Sequence, residues 1–296
     1  MYKTLNTSAL GISGNQSEII ELALTYGFQA IDLDVADFAT RVKLRGMPYA
    51  RRLIDSAQIR VSWFQLPFDW ETSGEVFQKN LEKLGGYAAA AAAVGCTRCL
   101  ATVTAAGDVR PYHENFEFHR ERFAQICKAL EPSGTRLGVG YRASAPLRKD
   151  KAFQFIHEQD ALVLLLKMVN APNIGILLDV WDLIVSGGSV EAIRGMSAEQ
   201  IVAVQLADLP EDVALTAATE EARLLPGTTD RVDTPAAMAI LAELGYDGPV
   251  AVKPHRSVLG TTRRDPIVKR LGEALDAVWK AAGLTSRGKL TVSAES

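Results

Sequence analysis

Four apolar runs in the second half of this 296-residue chain end in side chains capable of chemistry: 137–142, 174–182, 202–210 and 250–256. Asp179 closes the run IGILLD, and Asp182 follows three residues later. An aspartate in such a place can ligate a metal, act as a general base or counter a buried cation. Gln205 and Asp208 end VAVQLAD; a glutamine carbonyl oxygen can coordinate a hard cation or accept from a sugar hydroxyl, and Asp208 can reach the same space. Lys253 ends VAVK. Partly desolvated, such a lysine is either a fixed positive charge that polarises a carbonyl, with Asp179 or Asp182 as base, or a nucleophile that forms an imine.

Other residues could complete a polar bowl. His255 and Arg256 follow Pro254, and Arg142, Arg148 and Lys149 follow the first of the four runs; together they suit a carboxylate or phosphate. Tyr141 offers a hydroxyl, and Trp63, Phe64, Phe68 and Trp70 offer faces for stacking on a sugar ring. Plainer roles compete at each position. Asp182 reads as a solvent-facing cap for the next helix, Gln205 and Asp208 as structural hydrogen-bonding groups, Arg148 and Lys149 as a solvated rim, and Phe64 as core. His113 and His119 read as surface residues of a helix.

Positioning these groups requires a regular scaffold. Strand-like segments recur eight times, near Thr4–Leu10, Ala30–Val35, Arg60–Leu66, Arg98–Val103, Arg136–Tyr141, Ile174–Asp179, Ile201–Leu206 and Val250–Lys253. Amphipathic helical segments alternate with them, which predicts an α/β fold, a (β/α)8 TIM barrel in a single domain over 1–284 with a flexible C-terminal tail at 285–296. In that architecture the strand bodies fill the core and their C-terminal ends open into the active-site mouth. Longer connections are expected at 36–46, 104–113, 142–155 and 209–231, all on that face. The alanine run at 88–93 falls inside the third expected helix, where small side chains allow close packing.

Composition narrows the partners. A chain that is 48% hydrophobic and 23% charged can bury a substantial core. Its net charge of −3, with both signs interspersed, leaves no footprint for nucleic acid or an anionic membrane, so a small polar substrate is expected. The N-terminus lacks a basic start followed by an apolar core, and no stretch approaches a membrane span, so the expected location is cytoplasmic. Cys96, Cys99 and Cys127 lack a second CxxC or a histidine pair and read as free thiols.

The order LLDVWDL, VQLADLP, LLPGTTD and LAELGYDGPVAVKP resembles the xylose-isomerase-like TIM barrel superfamily of sugar isomerases and epimerases. The Gln-x-x-Asp-x-Pro of Gln205, Asp208 and Pro210 is most similar to hydroxypyruvate isomerases. The resemblance implies a dimer or tetramer, and one Mn²⁺ or Mg²⁺ held by a Glu, an Asp, a His or Gln and a second Glu on the fifth to eighth strands, the two glutamates moving the substrate proton. Asp179 and Gln205 fit the middle two positions. Gly140 and Lys253 stand where the glutamates belong, Asp182 replaces a histidine, and Gly227-Thr228-Thr229-Asp230 replaces a Gly-Glu motif. Losing two anionic ligands and gaining an ammonium disfavours a cation, so no cofactor is expected, and any metal would sit near Asp179 and Gln205. The expectation is a divergent, metal-independent isomerase or epimerase acting on a small sugar or keto acid. The alternatives are a non-catalytic carbohydrate-binding or partner-dependent homologue, or a Schiff-base lyase or aldolase built on Lys253.

Overall fold

Runs of Val, Ile, Leu and Ala that are apolar on both faces form strands only where both faces are covered, as in a parallel sheet with helical crossovers. The computed structural model describes residues 1–260 and 263–291, and in it those runs form a ring. The strands are β1 Tyr2–Leu5, β2 Ala30–Ile31, β3 in two pieces (Arg60–Val61 and Phe64–Gln65), β4 Arg98–Thr102, β5 Arg136–Gly140, β6 Ile174–Asp179, β7 Ile201–Leu206 and β8 Pro249–Val252. All neighbours are parallel, and β8 pairs with β1 through Tyr2 and Pro249. The first piece of β3 pairs with β2 and the second with β4. Ser62 and Trp63, between the pieces, are tied to β2 by Ser62 N donating to Ile31 O (2.9 Å) and Leu33 N donating to Trp63 O (2.9 Å). The ring therefore closes as eight strands without a free edge.

Nine helices surround it among the described residues: α1 Gln16–Thr25, α2 Val35–Arg45, α3 Met47–Ala57, α4 Gly74–Ala92, α5 Tyr112–Leu130, α6 Gln159–Val169, α7 Val180–Val185, α8 Thr234–Glu243 and α9 Arg264–Ala281. None is long and apolar enough to cross a membrane. The segment at 36–46, expected as a loop, is instead α2. Only Val35 and Phe38 of that helix are buried, so its apolar period is thin; its signal lies in the caps, with the Asp34 side chain accepting from Asp37 N and Gly46 ending it at φ 80°. The alanine run closes α4, where Ala88, Ala90 and Ala91 are buried. The connections at 104–113 and 142–155 meet in a short antiparallel ladder, Ala106–Gly107 with Phe153–Gln154. After α9 the chain turns back, Thr291 N donating to Gly283 O (2.9 Å); positions 292–296 of the expected tail lie outside the described residues.

Inside the ring, Trp63, Leu100, Leu177, Val202, Ala203 and Ala251 form a packed plug. With a side-chain period of two, the inward residues one step above it are Thr102 on β4, Gly140 on β5, Asp179 on β6, Gln205 on β7 and Lys253 after β8. A bulge in β7 sets this layer. Ile201 pairs with Ile176 but Ala203 with Leu177, so one extra residue lets both Val202 and Ala203 join the plug and brings Gln205 opposite Asp179. Glycine is required beneath the mouth on β5: a Cβ at Gly138 would stand 2.8 Å from Leu100 and 2.9 Å from Val202. Gly138→Ala should lower the unfolding free energy by about 1–3 kcal/mol. Gly140→Ala, whose Cβ would meet Leu177 at 3.2 Å, should cost less. Urea denaturation measures both, and a Gly138→Ala protein as stable as wild type would contradict this packing.

Candidate functional site

Asp179 ends β6 and caps α7, its carboxylate accepting from Trp181 N at 3.1 Å and Asp182 N at 3.4 Å. The cap is therefore Asp179, and Asp182, for which a solvent-facing cap is the plainer of its two readings, is fully buried. Its Oδ1 accepts from Ala143 N (2.8 Å) and its Oδ2 from Arg223 (2.6 Å). Lys253, one residue past β8, donates to Asp179 Oδ2 at 3.0 Å.

Arg223, absent from the sequence reading, organises the site. It is 2% exposed, and its guanidinium reaches both oxygens of Asp179 (3.0 and 2.9 Å), Asp182 (2.6 Å) and Glu220 (2.9 Å). It also lies 4.0 Å from the centroid of the Trp181 ring. Burial alone would discourage its charge, but the three carboxylates outweigh that and hold it ionised. Its backbone is pinned on both sides: His255 N donates to Arg223 O (2.8 Å), and Leu224 exchanges hydrogen bonds with Asp208 (2.9 and 3.0 Å). Burial opposes the charge of Asp179 too, yet Arg223 and Lys253 keep its carboxyl below the usual range. Asp182 goes the other way. Burial foremost pushes it up to about 7, Arg223 opposing and Asp179 adding to the rise.

Above this cluster lies a cavity of about 410 Å³, whose walls include Gln65, Thr102, Arg142, Gln205, Glu220 and Lys253. Its walls also include Arg223, His255 and Arg256. Gln205, buried to 3% exposure, presents an Oε1 that accepts no hydrogen bond from the described residues; the same holds for Glu220 Oε1, whose other oxygen is held by Arg223. Lys253, Gln205, Arg142, His255 and Arg256 of the expected bowl thus share one space. Asp179 and Asp182 sit behind Arg223 and Lys253, outside the cavity lining.

Other expected contacts fall elsewhere. Asp208 accepts from Leu209 N (2.8 Å), Thr229 N (2.7 Å), Thr229 Oγ1 (2.8 Å) and Val232 N (3.2 Å), so its lone pairs hold the 209–231 loop rather than a ligand. Tyr141 is turned toward Ser186 Oγ, 3.0 Å from its hydroxyl, and burial pushes its phenol up. Trp63 is fully buried in the plug, so it offers no face to a ligand. Trp70 packs edge-on against His119 and tilted against Phe123. His119, expected at the surface, is buried and bonded through Nδ1 to Asn115 O (2.8 Å); burial lowers it to about 4. The three cysteines are free and buried. Glu220 and Arg223 escaped notice because they lie in the irregular stretch at 209–231, where no periodicity marks an inward face; Arg223, three residues after Glu220, was the available clue.

A family model described as xylose isomerase-like TIM barrel matches residues 20–278. The chain belongs to that family. Similar solved structures include a xylose isomerase domain protein from Alicyclobacillus acidocaldarius (TM-score 0.84, 21% identity, 95% of this chain and 99% of that one). Another is the IolI protein with a bound zinc atom (0.76, 15%, 96% and 98%). A third is the 3-keto-D-glucoside 4-epimerase YcjR from E. coli (0.72, 13%, 95% and 99%). A search of curated protein sequences found no match.

The donor set does not fit the divalent ion that the family implies. Asp179 already accepts from two cations, Gly140 carries no ligand, and Lys253 Nζ points at Asp179. A Cβ at Gly140 would press on Leu177, so the space of a glutamate stem is filled. Among the described residues, no three His, Cys, Asp or Glu side chains are placed to share an ion. Positive charge at this place comes from Arg223 and Lys253.

Two outcomes follow from the cluster. Arg223→Met leaves Asp179 and Asp182 buried without their guanidinium and should cost about 3–5 kcal/mol of stability in denaturant titration; a neutral effect would contradict the pairing. Asp182 has a folded pKa above its unfolded value, so its contribution is present below about 3.8 and is lost as pH rises through about 7. Wild-type stability should therefore fall relative to Asp182→Asn across that window, and a flat difference would contradict it. Asp179, depressed by its partners, contributes with the opposite sign, and its contribution is lost only in acid.

Proposed function

We propose that this protein is a metal-independent isomerase or epimerase of a small carbonyl-bearing sugar or keto acid. The observation that carries this reading is the cavity that both Lys253 and Glu220 line, Glu220 having one carboxylate oxygen that accepts no hydrogen bond among the described residues. Glu220 supplies a free carboxylate oxygen able to take a proton from the carbon next to a carbonyl. Lys253 protonates that carbonyl oxygen as an enediol forms; Glu220 then returns the proton to the former carbonyl carbon while Lys253 recovers a proton from the neighbouring hydroxyl as it becomes the new carbonyl, and inversion at a single carbon would require the enediol to turn its other face to Glu220. Asp179 orients Lys253, Arg223 orients Glu220, and Asp182 fixes Arg223; these three are positioning residues. The fold is shared with a 3-keto-D-glucoside 4-epimerase, which supports the sugar class. Gln205 and Arg142 serve as further substrate contacts, and Arg223 and Lys253 take the electrostatic role of a metal.

Solvent-exchange NMR tests this reading. In D2O with a chelator present, a panel of ketoses and keto acids should include a compound that incorporates deuterium next to its carbonyl. Glu220→Gln and Lys253→Met should each slow that exchange about 10²–10⁴-fold. Exchange that requires added Mn²⁺ would overturn metal independence, and no exchange with any compound would overturn the isomerase reading. A binding protein without turnover is the second reading, favoured by the locking of both strand-end aspartates to cations; it expects saturable binding without exchange. Borohydride trapping of a covalent adduct at Lys253 would instead indicate imine chemistry.

A further inference from the structure

The cavity over Lys253 combines two kinds of unmet demand. Its buried acceptors, Gln205 Oε1 and Glu220 Oε1, have no donors among the described residues, and leaving such oxygens unpaired in a closed complex is unfavourable. A ligand seated there that reaches these two oxygens satisfies them with hydroxyl or amino hydrogens. Its rim, in contrast, is rich in cations. Arg142 is exposed and takes part in no ion pair among the described residues. Among the described residues, Arg256 donates to the backbone carbonyls of Leu10 and Gly11 alone. Lys253 spends one of its three N–H donors on Asp179.

Four fixed cations, Arg142, Arg223, Lys253 and Arg256, face three carboxylates, Asp179, Asp182 and Glu220. The surplus lies entirely at the open side, because all three carboxylates are engaged by Arg223. An apolar anion would satisfy the rim and strand the two buried acceptors. A neutral polyol would satisfy the acceptors and leave Arg142 and Arg256 facing water. Only a ligand with both features meets the whole surface, and a volume of about 410 Å³ admits a molecule of monosaccharide size.

We propose that this cavity selects a polyhydroxylated small anion, a sugar carrying a carboxylate or a phosphate ester, with hydroxyls on Gln205 and Glu220 and the anionic group against Arg142 and Arg256. The proposal deepens the functional reading above and rests on the cavity being the substrate site, but not on turnover. Arg142 is then a specificity residue: its planar fork suits a carboxylate or phosphate end-on, and its exposure makes substitution harmless to folding.

Calorimetry on the full chain at fixed ionic strength provides the test. The probes are D-gluconate and D-xylonate, D-glucose 6-phosphate, their neutral counterparts D-glucitol, xylitol and D-glucose, and butyrate as an anion without hydroxyls. At least one sugar acid or sugar phosphate should bind about tenfold or more tightly than both its neutral counterpart and butyrate, the weight of one charge-assisted hydrogen bond. Preference for the acids identifies the carboxylate, and preference for the phosphate ester identifies the phosphate. Arg142→Ala should remove the preference for the charged member, Arg142→Lys should restore part of it, and Gln205→Met should weaken charged and neutral members alike. Equal affinity within every pair, or no saturable binding by any charged member, would overturn the proposal. Binding selectivity without isotope exchange would leave this inference standing and defeat the isomerase reading; exchange of a neutral ketose without anion preference would do the reverse.

Discussion

Burying a guanidinium is tolerated only where carboxylates replace the water it loses. Arg223, 2% exposed and held by Asp179, Asp182 and Glu220, is such a case. Much of the mouth follows from it. The 209–231 loop must be pinned for the guanidinium to arrive, which explains why Asp208 spends its oxygens on Thr229 and Val232 and why His255 anchors the Arg223 carbonyl. Asp179, shared between Arg223 and Lys253, fixes the lysine. Asp182 accepts a hydrogen bond from the guanidinium from below, and burial pushes its carboxyl up to about 7.

Where the family resemblance implies a cation surrounded by carboxylates, this chain places the tethered cations Arg223 and Lys253 beside Asp179 and has no carboxylate at Gly140 or Lys253. Gly140 leaves no side chain on β5, and Leu177 fills the space beside it. A tethered cation differs from a divalent ion in one respect that matters for chemistry. It donates hydrogen bonds in fixed directions rather than accepting several oxygens at once. In the function proposed above, such a site would polarise one oxygen of a bound molecule and leave Gln205 and Glu220 as acceptors for hydroxyls.

The barrel was legible in the sequence because its strands are buried on both faces and read as continuous apolar runs ending in polar residues. Asp179, Gln205 and Lys253 were legible for the same reason: a period of two carries each from the plug to the mouth. α2 was less so, since a helix that buries two residues leaves little period to read. Arg223 and Glu220 were not legible, because an irregular loop has no rule for which side chains turn inward. Trp63 and Asp208 show the converse limit. Their types suited ligand binding, but in the one case a strand interruption turned the ring into the plug and in the other the neighbouring loop engaged both carboxylate oxygens.

Whether cations built into the chain stand in the place of a metal is tested most directly by elemental analysis of the purified protein for Mn, Mg, Zn and Co, paired with calorimetric titration of Mn²⁺. The expected result is far less than one metal ion per chain and no saturable Mn²⁺ binding. Near-stoichiometric metal that is lost on Asp179→Asn would contradict it.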